Sequence, residues 1–166
     1  MKKIIIIGAG GAGKSTLAHK LGQILNIEVF HLDALFWKPN WTPTPQEEWE
    51  TMTKQLLAKN SWIIDGNFGS TMDLRIQEAD TIIFLDYSTI RCLYGVIKRR
   101  IQYHGKTRPD MGDKCPEKLD FEFIKWIAKY RNKKSPKIIE KLNELEHKTV
   151  FHFRNPKETK NFLEKI

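Results

Sequence analysis

The sequence predicts an α/β fold, a three-layer α/β/α domain of the P-loop NTPase type built on a five-stranded parallel sheet. Two observations predict it. Residues 4–7 are four consecutive isoleucines that run into Gly8-Ala-Gly-Gly-Ala-Gly13-Lys14-Ser15, a match to G-x-x-x-x-G-K-[ST] at every position. Short β-branched runs then alternate with helical patterns to the end of the chain, which is how parallel strands with crossover helices read.

The isoleucine run is too short for a helix and apolar on both faces, the pattern of a strand in the middle of a parallel sheet. After it, Leu17, Ala18, Leu21, Ile24 and Leu25 fall at helical spacing. Between strand and helix, Gly8, Gly10, Gly11, Ala12 and Gly13 allow the backbone to turn its N–H groups into one concavity for phosphate oxygens. The helix start at Lys14, Ser15 and Thr16 adds the positive end of the macrodipole. Lys14 is expected to reach the β- and γ-phosphates of ATP and Ser15 to ligate Mg²⁺.

Residues 27–31 form a second strand, with Asp33 just past its end. Residues 35–45 (LFWKPNWTPTP) hold two tryptophans and three prolines and predict irregular structure. Thr44-Pro45-Gln46-Glu47 reads as a capping box opening a helix over 45–59. The third strand, 62–65, ends at Asp65 before Gly66-Asn67; a short helix covers 73–78, and a fourth strand, 81–85, ends at Asp86. Ile90, Leu93, Ile97 and Ile101 share one face of a helix over 89–103 that Gly105 stops.

Residues 106–116 are polar with Pro and Gly, the composition of a mobile loop or lid, placed at about 104–117. A helix over 119–130 should bury Phe123, Ile124 and Ile127, and Ser135-Pro136 starts another. The fifth strand is 149–153, and Asn155 caps a terminal helix. One domain spans 1–166, with an acceptor-binding segment at about 33–60.

The composition narrows the classes. No apolar run approaches the roughly 20 residues that span a bilayer, and the start does not read as a signal peptide because glycines follow the isoleucines at once. Cys92 and Cys115 are too few for a disulfide framework or a four-cysteine zinc site. A cytoplasmic protein, monomer or dimer, without a membrane partner is expected. The net charge of +8 is concentrated: residues 98–134 hold 12 Lys/Arg against 5 Asp/Glu, a net of +7. Such a block is either a surface for nucleic acid or a clamp over the phosphates of a small substrate.

Ligands of parallel α/β sheets sit at the carboxyl ends of the strands, which gathers the phosphate loop, Asp33, Asp65 and Asp86 at one edge. Asp65 has the position of an acidic residue that holds Mg²⁺, while Asp86 reads as a turn residue. Asp33 is either a base for an acceptor hydroxyl or a residue that positions acceptor or metal. His31 reads as packing beside its strand. Phe36, Trp37 and Trp41 are equally readable as packing and as a stacking platform for a ring-shaped acceptor. Arg99, Arg100 and Arg108 bracket the lid and are candidates to neutralise charge on the transferred phosphoryl group. Arg75 and Arg131 are weaker candidates for an anionic group of the acceptor, and Cys115 reads as a lid packing residue.

The combination GAGGAGKSTLA, HLDALFW, WIIDGN, ADTIIFLD and RRIQYHGKTRPDMGDKCPEKLD resembles the bacterial DNA topology modulation proteins (FlaR-type), small P-loop proteins related to adenylate kinase. The resemblance covers nearly the whole chain. It implies a nucleotide-kinase-type fold with a short lid, ATP and Mg²⁺ as donor and cofactor, and phosphoryl transfer to a small acceptor such as a nucleotide or nucleoside. The family name implies an alternative, a nucleotide-binding regulator contacting DNA through its basic region. Asp65-Gly66-Asn67 is similar to the DGFPR-type segment of adenylate kinases, whose aspartate serves magnesium. Two departures stand out: where such helices carry an arginine one turn before Arg99 this chain has Gly95, and Lys133-Lys134-Ser135-Pro136 lacks the arginine expected near its proline.

Overall fold

Strand β1 (Lys3–Gly8) is the spine of the molecule, and its four isoleucines are buried. The computed structural model describes residues 1–116 and 120–166. Around β1 lie β2 (Val29–His31), β5 (Trp62–Asp65), β6 (Thr81–Leu85) and β7 (Thr149–Phe153), in the order β2-β5-β1-β6-β7, every neighbouring pair parallel. The five strands are those expected from the sequence, the second starting two residues later. The inner strands β5 and β6 are buried along their whole length and β1 from Ile4 onward, as strands covered on both faces are.

Register decides where the chemistry falls. Ile6 and His31 both lie opposite Asp65, and Gly8 lies opposite Leu85, so the strand ends that carry these residues form one rim. Helix α1 (Lys14–Leu25) leaves this rim and packs Leu17, Ala18 and Leu21 into the core.

The segment after β2 is more regular than its prolines and tryptophans suggest. A short helix α2 (Leu32–Phe36) leads into a two-stranded hairpin of β3 (Trp37–Lys38) and β4 (Thr42–Pro43), closed by a 3-10 turn Pro39–Trp41. Asn40 and Trp41 adopt left-handed φ of 62° and 61° there. Thr44 does not cap the next helix. Its N–H and its hydroxyl both donate to Phe36 O, at 2.9 and 2.7 Å, and so hold the hairpin's base closed. Helix α3 (Gln46–Leu57) begins after Pro45 with no side-chain cap.

Helices α4 (Met72–Glu78), α5 (Thr89–Gln102), α6 (Phe121–Lys133), α7 (Ser135–Asn143) and α8 (Pro156–Leu163) complete the fold. The expected start of α6 at Leu119 lies outside the described residues, as does the lid's expected end at Glu117. Asp120 caps α6 through Phe123 N–H at 2.7 Å, and Asn155 caps α8 through Glu158 N–H at 3.1 Å. Asp86 accepts from Ser135 Oγ at 2.8 Å and meets His152 Nε2 at 3.2 Å, so it ties α7 and β7 to the end of β6.

The apolar row on α5 faces outward: Ile90, Ile97 and Ile101 are exposed, and the buried side is Cys92 and Val96. A backbone crossing sets this orientation. A Cβ on Gly95 would stand 2.2 Å from Gly11 O, and one on Gly11 2.1 Å from Cys92 O. The helix therefore lies directly on the glycine loop, and the position where the resemblance expects an arginine admits no side chain. Gly95→Ala should destabilise the protein by about 3 kcal/mol, the upper range for an overpacked site. Urea unfolding of the variant checks this, with an unchanged midpoint as the contrary result.

Candidate functional site

The glycine loop has the form its sequence implies. Gly11 and Gly13 hold φ of 78° and 90°, a region that favours glycine, and a Cβ on Gly13 would meet nothing within 4 Å. That open side is where backbone N–H groups at the start of α1 are free to face an anion. The loop is held from three sides: α5 crosses at Gly11, Phe123 and Ile127 of α6 close on Gly10, and Asn67 clasps Gly8. The Asn67 side chain accepts from Gly8 N–H at 3.2 Å and donates to Gly8 O at 2.8 Å. Asn67, read from the sequence only as a departure from a motif, thus positions the loop; no local pattern announces an amide contact across 59 residues.

Lys14 Nζ donates to Gly8 O at 3.0 Å and Ala9 O at 3.1 Å. Burial lowers its proton affinity, opposed by the charges of Asp33 and Asp65 and reinforced by Arg99. The ammonium is short of counter-charge, and a phosphate would supply it. Ser15 Oγ donates to Asp65 Oδ2 at 2.7 Å. Asp65 is buried, and its other oxygen meets His31 Nδ1 at 2.6 Å.

His31 is therefore no bystander beside its strand. Burial alone would lower its proton affinity, but the hydrogen bond and charge of Asp65, with Asp110 and Asp33, outweigh it and raise the pKa above the ordinary value. A histidine with a raised folded-state pKa adds stability that is complete below its unfolded value of about 6.5 and lost as pH rises through the higher folded one. The melting-temperature difference between wild type and His31→Gln should hence be largest below about pH 6 and shrink toward pH 8. Differential scanning fluorimetry across pH reads it; a difference that does not vary would oppose it.

Asp33, on α2, is exposed, with Lys14, Arg108, Asp65 and Asp110 close enough for their charges to act on it. Burial raises its pKa above the usual carboxylate range against the pull of Lys14 and Arg108, with Asp65 and Asp110 adding repulsion. Arg108 is buried and pairs with Asp110 at 3.1 Å. Burial would raise Asp110, yet the charges of Arg108 and His31 lower it. The sequence drew attention to Arg108 and missed Asp110, two residues on, because nothing local tells which lid residues point inward.

The segment expected as a lid rests against the hairpin through residues 112–115. Asn40 N–H donates to Lys114 O at 3.2 Å, the Cys115 thiol donates to Lys38 O at 3.3 Å, and a Cβ on Gly112 would stand 2.4 Å from Trp37 O. Cys115 packs there as expected. Trp37 stacks edge-on with Phe36 and Trp41, and Phe36 continues into Trp49 and Phe68 with centroids 5.2 and 4.7 Å apart. The packing reading accounts for these contacts.

The remaining cations divide. Arg99 lies 5.9 Å from the centroid of the Phe123 ring and acts electrostatically on Lys14, so it borders the phosphate loop. Arg100 meets His104 Nδ1, just past the end of α5, at 2.8 Å, and Arg131 is exposed in the last turn of α6. Arg75 is wholly buried, with its guanidinium donating to Gly66 O, Asn67 O and Phe68 O at 2.9–3.0 Å, and burial lowers its pKa to about 10. It shapes the loop after β5 and is not available to an acceptor, a correction to its reading from sequence.

The residues present suit ATP and magnesium. The open glycine loop with an under-compensated lysine fits phosphates. Among the described residues no group of three His, Cys, Asp or Glu stands ready to cage a metal. A hydroxyl beside one carboxylate suits Mg²⁺, which retains waters and phosphate ligands.

No family model matches this chain, and no curated protein matches it. Solved structures do. Shikimate kinase from Bacteroides thetaiotaomicron superposes with a TM-score of 0.57 at 16% identity, covering 98% of this chain and 94% of that one. The likeness shows the fold: the two chains share an α/β architecture, here a five-stranded parallel sheet flanked by helices. Among the described residues no helix is long and apolar enough to cross a membrane.

Proposed function

We propose that this chain is a Mg²⁺- and ATP-dependent phosphotransferase that moves the γ-phosphoryl group of ATP to a small acceptor held near Asp33. The observation that carries the reading is the glycine loop with Lys14 Nζ bonded to Gly8 O and Ala9 O at 3.0 and 3.1 Å, beside Asp33, on which the charges of Lys14 and Arg108 both act. In this reading the loop from Gly8 to Thr16 holds the ATP phosphates, and Lys14 fixes the β- and γ-groups. Ser15 and Asp65 hold the magnesium ion, which when bound neutralises phosphate charge. Asp33 takes the proton of an acceptor hydroxyl as its oxygen bonds to the γ-phosphorus and the bond to the β-phosphate oxygen breaks, releasing ADP. Its raised pKa favours that proton transfer. Arg99 and Arg108 offset charge gathering on the transferred group, and the lid carries Arg108 away to admit and release ligands. Trp37 and the hairpin form the wall on which an acceptor ring would rest.

A nucleotide or nucleoside acceptor agrees with the resemblance to FlaR-type topology modulation proteins, and shikimate with the structural neighbour. The test is a panel of nucleosides, nucleotides, shikimate and gluconate with MgATP, reading ADP release. One acceptor should raise release at least about 10²-fold over water, a small part of what enzymes reach. Slow, acceptor-independent hydrolysis alone would overturn the proposal.

A further inference from the structure

Helix α5 uses its inner face on the glycine loop and leaves its outer apolar face exposed among the described residues. Ile90, Tyr94, Ile97 and Ile101 are 82%, 59%, 51% and 74% exposed. Scattered surface apolar residues need no explanation, but these four succeed one another at intervals of four, three and four. That is the spacing of a coiled-coil seam, and it runs about 16 Å along the helix.

Charge says what fits the seam. Arg91 and Lys98 flank the row on one side and Arg100 on the other, with Arg91 5.6 Å from the Tyr94 ring centroid. In a coiled coil these flanking positions choose the partner. No Asp or Glu occurs between Asp86 and Asp110. A second copy docking through the same row would oppose cation to cation, which disfavours self-pairing. An anionic membrane would attract the cations, but interfacial helices bury a broad apolar face, and this row is one side chain wide. We propose that the outer face of α5 is a docking seam for an amphipathic helix of a partner protein with Asp or Glu beside its own apolar row. Because α5 also rests on Gly11 and carries Arg99, the partner would sit one helix away from the phosphate loop. The proposal does not depend on the reaction proposed above.

The test titrates the full chain with a synthetic three-heptad peptide, leucine at the seam positions and glutamate at the flanks, read by fluorescence anisotropy. Comparison peptides have the same composition scrambled, or lysine at the flanks. The patterned acidic peptide should bind at low salt and weaken as salt rises, as charge-matched docking does. The scrambled peptide, and the Ile97→Ser/Ile101→Ser protein with the patterned peptide, should each bind at least about tenfold more weakly, one decade of affinity. Both substituted side chains are exposed, so circular dichroism of that variant should match wild type. Equal binding of patterned and scrambled peptides, or no effect of the serines, overturns the proposal. So does self-association abolished by the serines, or serine-sensitive binding to phosphatidylcholine/phosphatidylserine vesicles or duplex DNA without peptide binding.

Discussion

Replacing Lys14 by alanine should reduce phosphoryl transfer by about 10²–10³-fold, the scale on which removal of one preorganised donor is felt at a phosphoryl or oxyanion centre. The expectation rests on the state of that side chain. Lys14 donates to two carbonyls of the glycine loop, with its proton affinity lowered first by burial. A base whose folded-state pKa is depressed opposes folding while it is charged, and that opposition fades as pH rises through the folded value toward the unfolded one. The lost hydrogen bonds and the relieved burial of charge therefore work in opposite directions. The melting temperature of Lys14→Ala should stay within about 3 °C of wild type, while ATP binding by calorimetry and turnover both collapse. A variant that binds and turns over ATP normally would remove the donor-site assignment.

Asp33→Asn should lower transfer to a hydroxyl acceptor by about 10²–10⁴-fold, the range for a lost general base. It should also make the ligand-free protein more stable at neutral pH. The sign follows from the raised pKa, whose first cause is burial. A carboxyl with a raised folded-state pKa contributes favourably below its unfolded value, about 4, and loses that contribution as pH rises through the folded value. At pH 7.5 the ionised group costs stability that asparagine does not, and the difference should vanish near pH 3. The kinetic fall separates the two roles. A fall in kcat marks proton transfer, whereas a rise in KM with kcat kept marks orientation of the acceptor. A variant less stable at pH 7.5, with both constants unchanged, would deny Asp33 either role. Such a gain of stability with loss of activity is common where a site holds unfavourable charge for its chemistry.

Local chemistry settled much of this molecule. The isoleucine run, the glycine loop and the β-branched runs at 62–65, 81–85 and 149–153 each specify a strand or turn through the type and order of a few neighbours. Chain topology then puts the phosphate loop, Asp33 and Asp65 at one rim without reference to any long-range contact. What the sequence left open depends on partners far along the chain. Arg75 looks like any surface arginine until three carbonyls of the loop after β5 surround it. His31, Asn67 and Asp110 owe their places to Asp65, Gly8 and Arg108, through side-chain geometry that composition does not encode.

Helix α5 shows the division most clearly. Periodicity identified a helix and an apolar row, but which side meets the core was decided by a close approach between Gly95 and Gly11. By itself, then, the sequence determined the strands, the glycine loop and the edge of the sheet on which the loop lies, because each follows from neighbours within a few residues. Only the tertiary structure decided which charges share the cleft, which arginine is structural and which face of α5 stays open, because burial and charge pairing arise from elements the chain brings together.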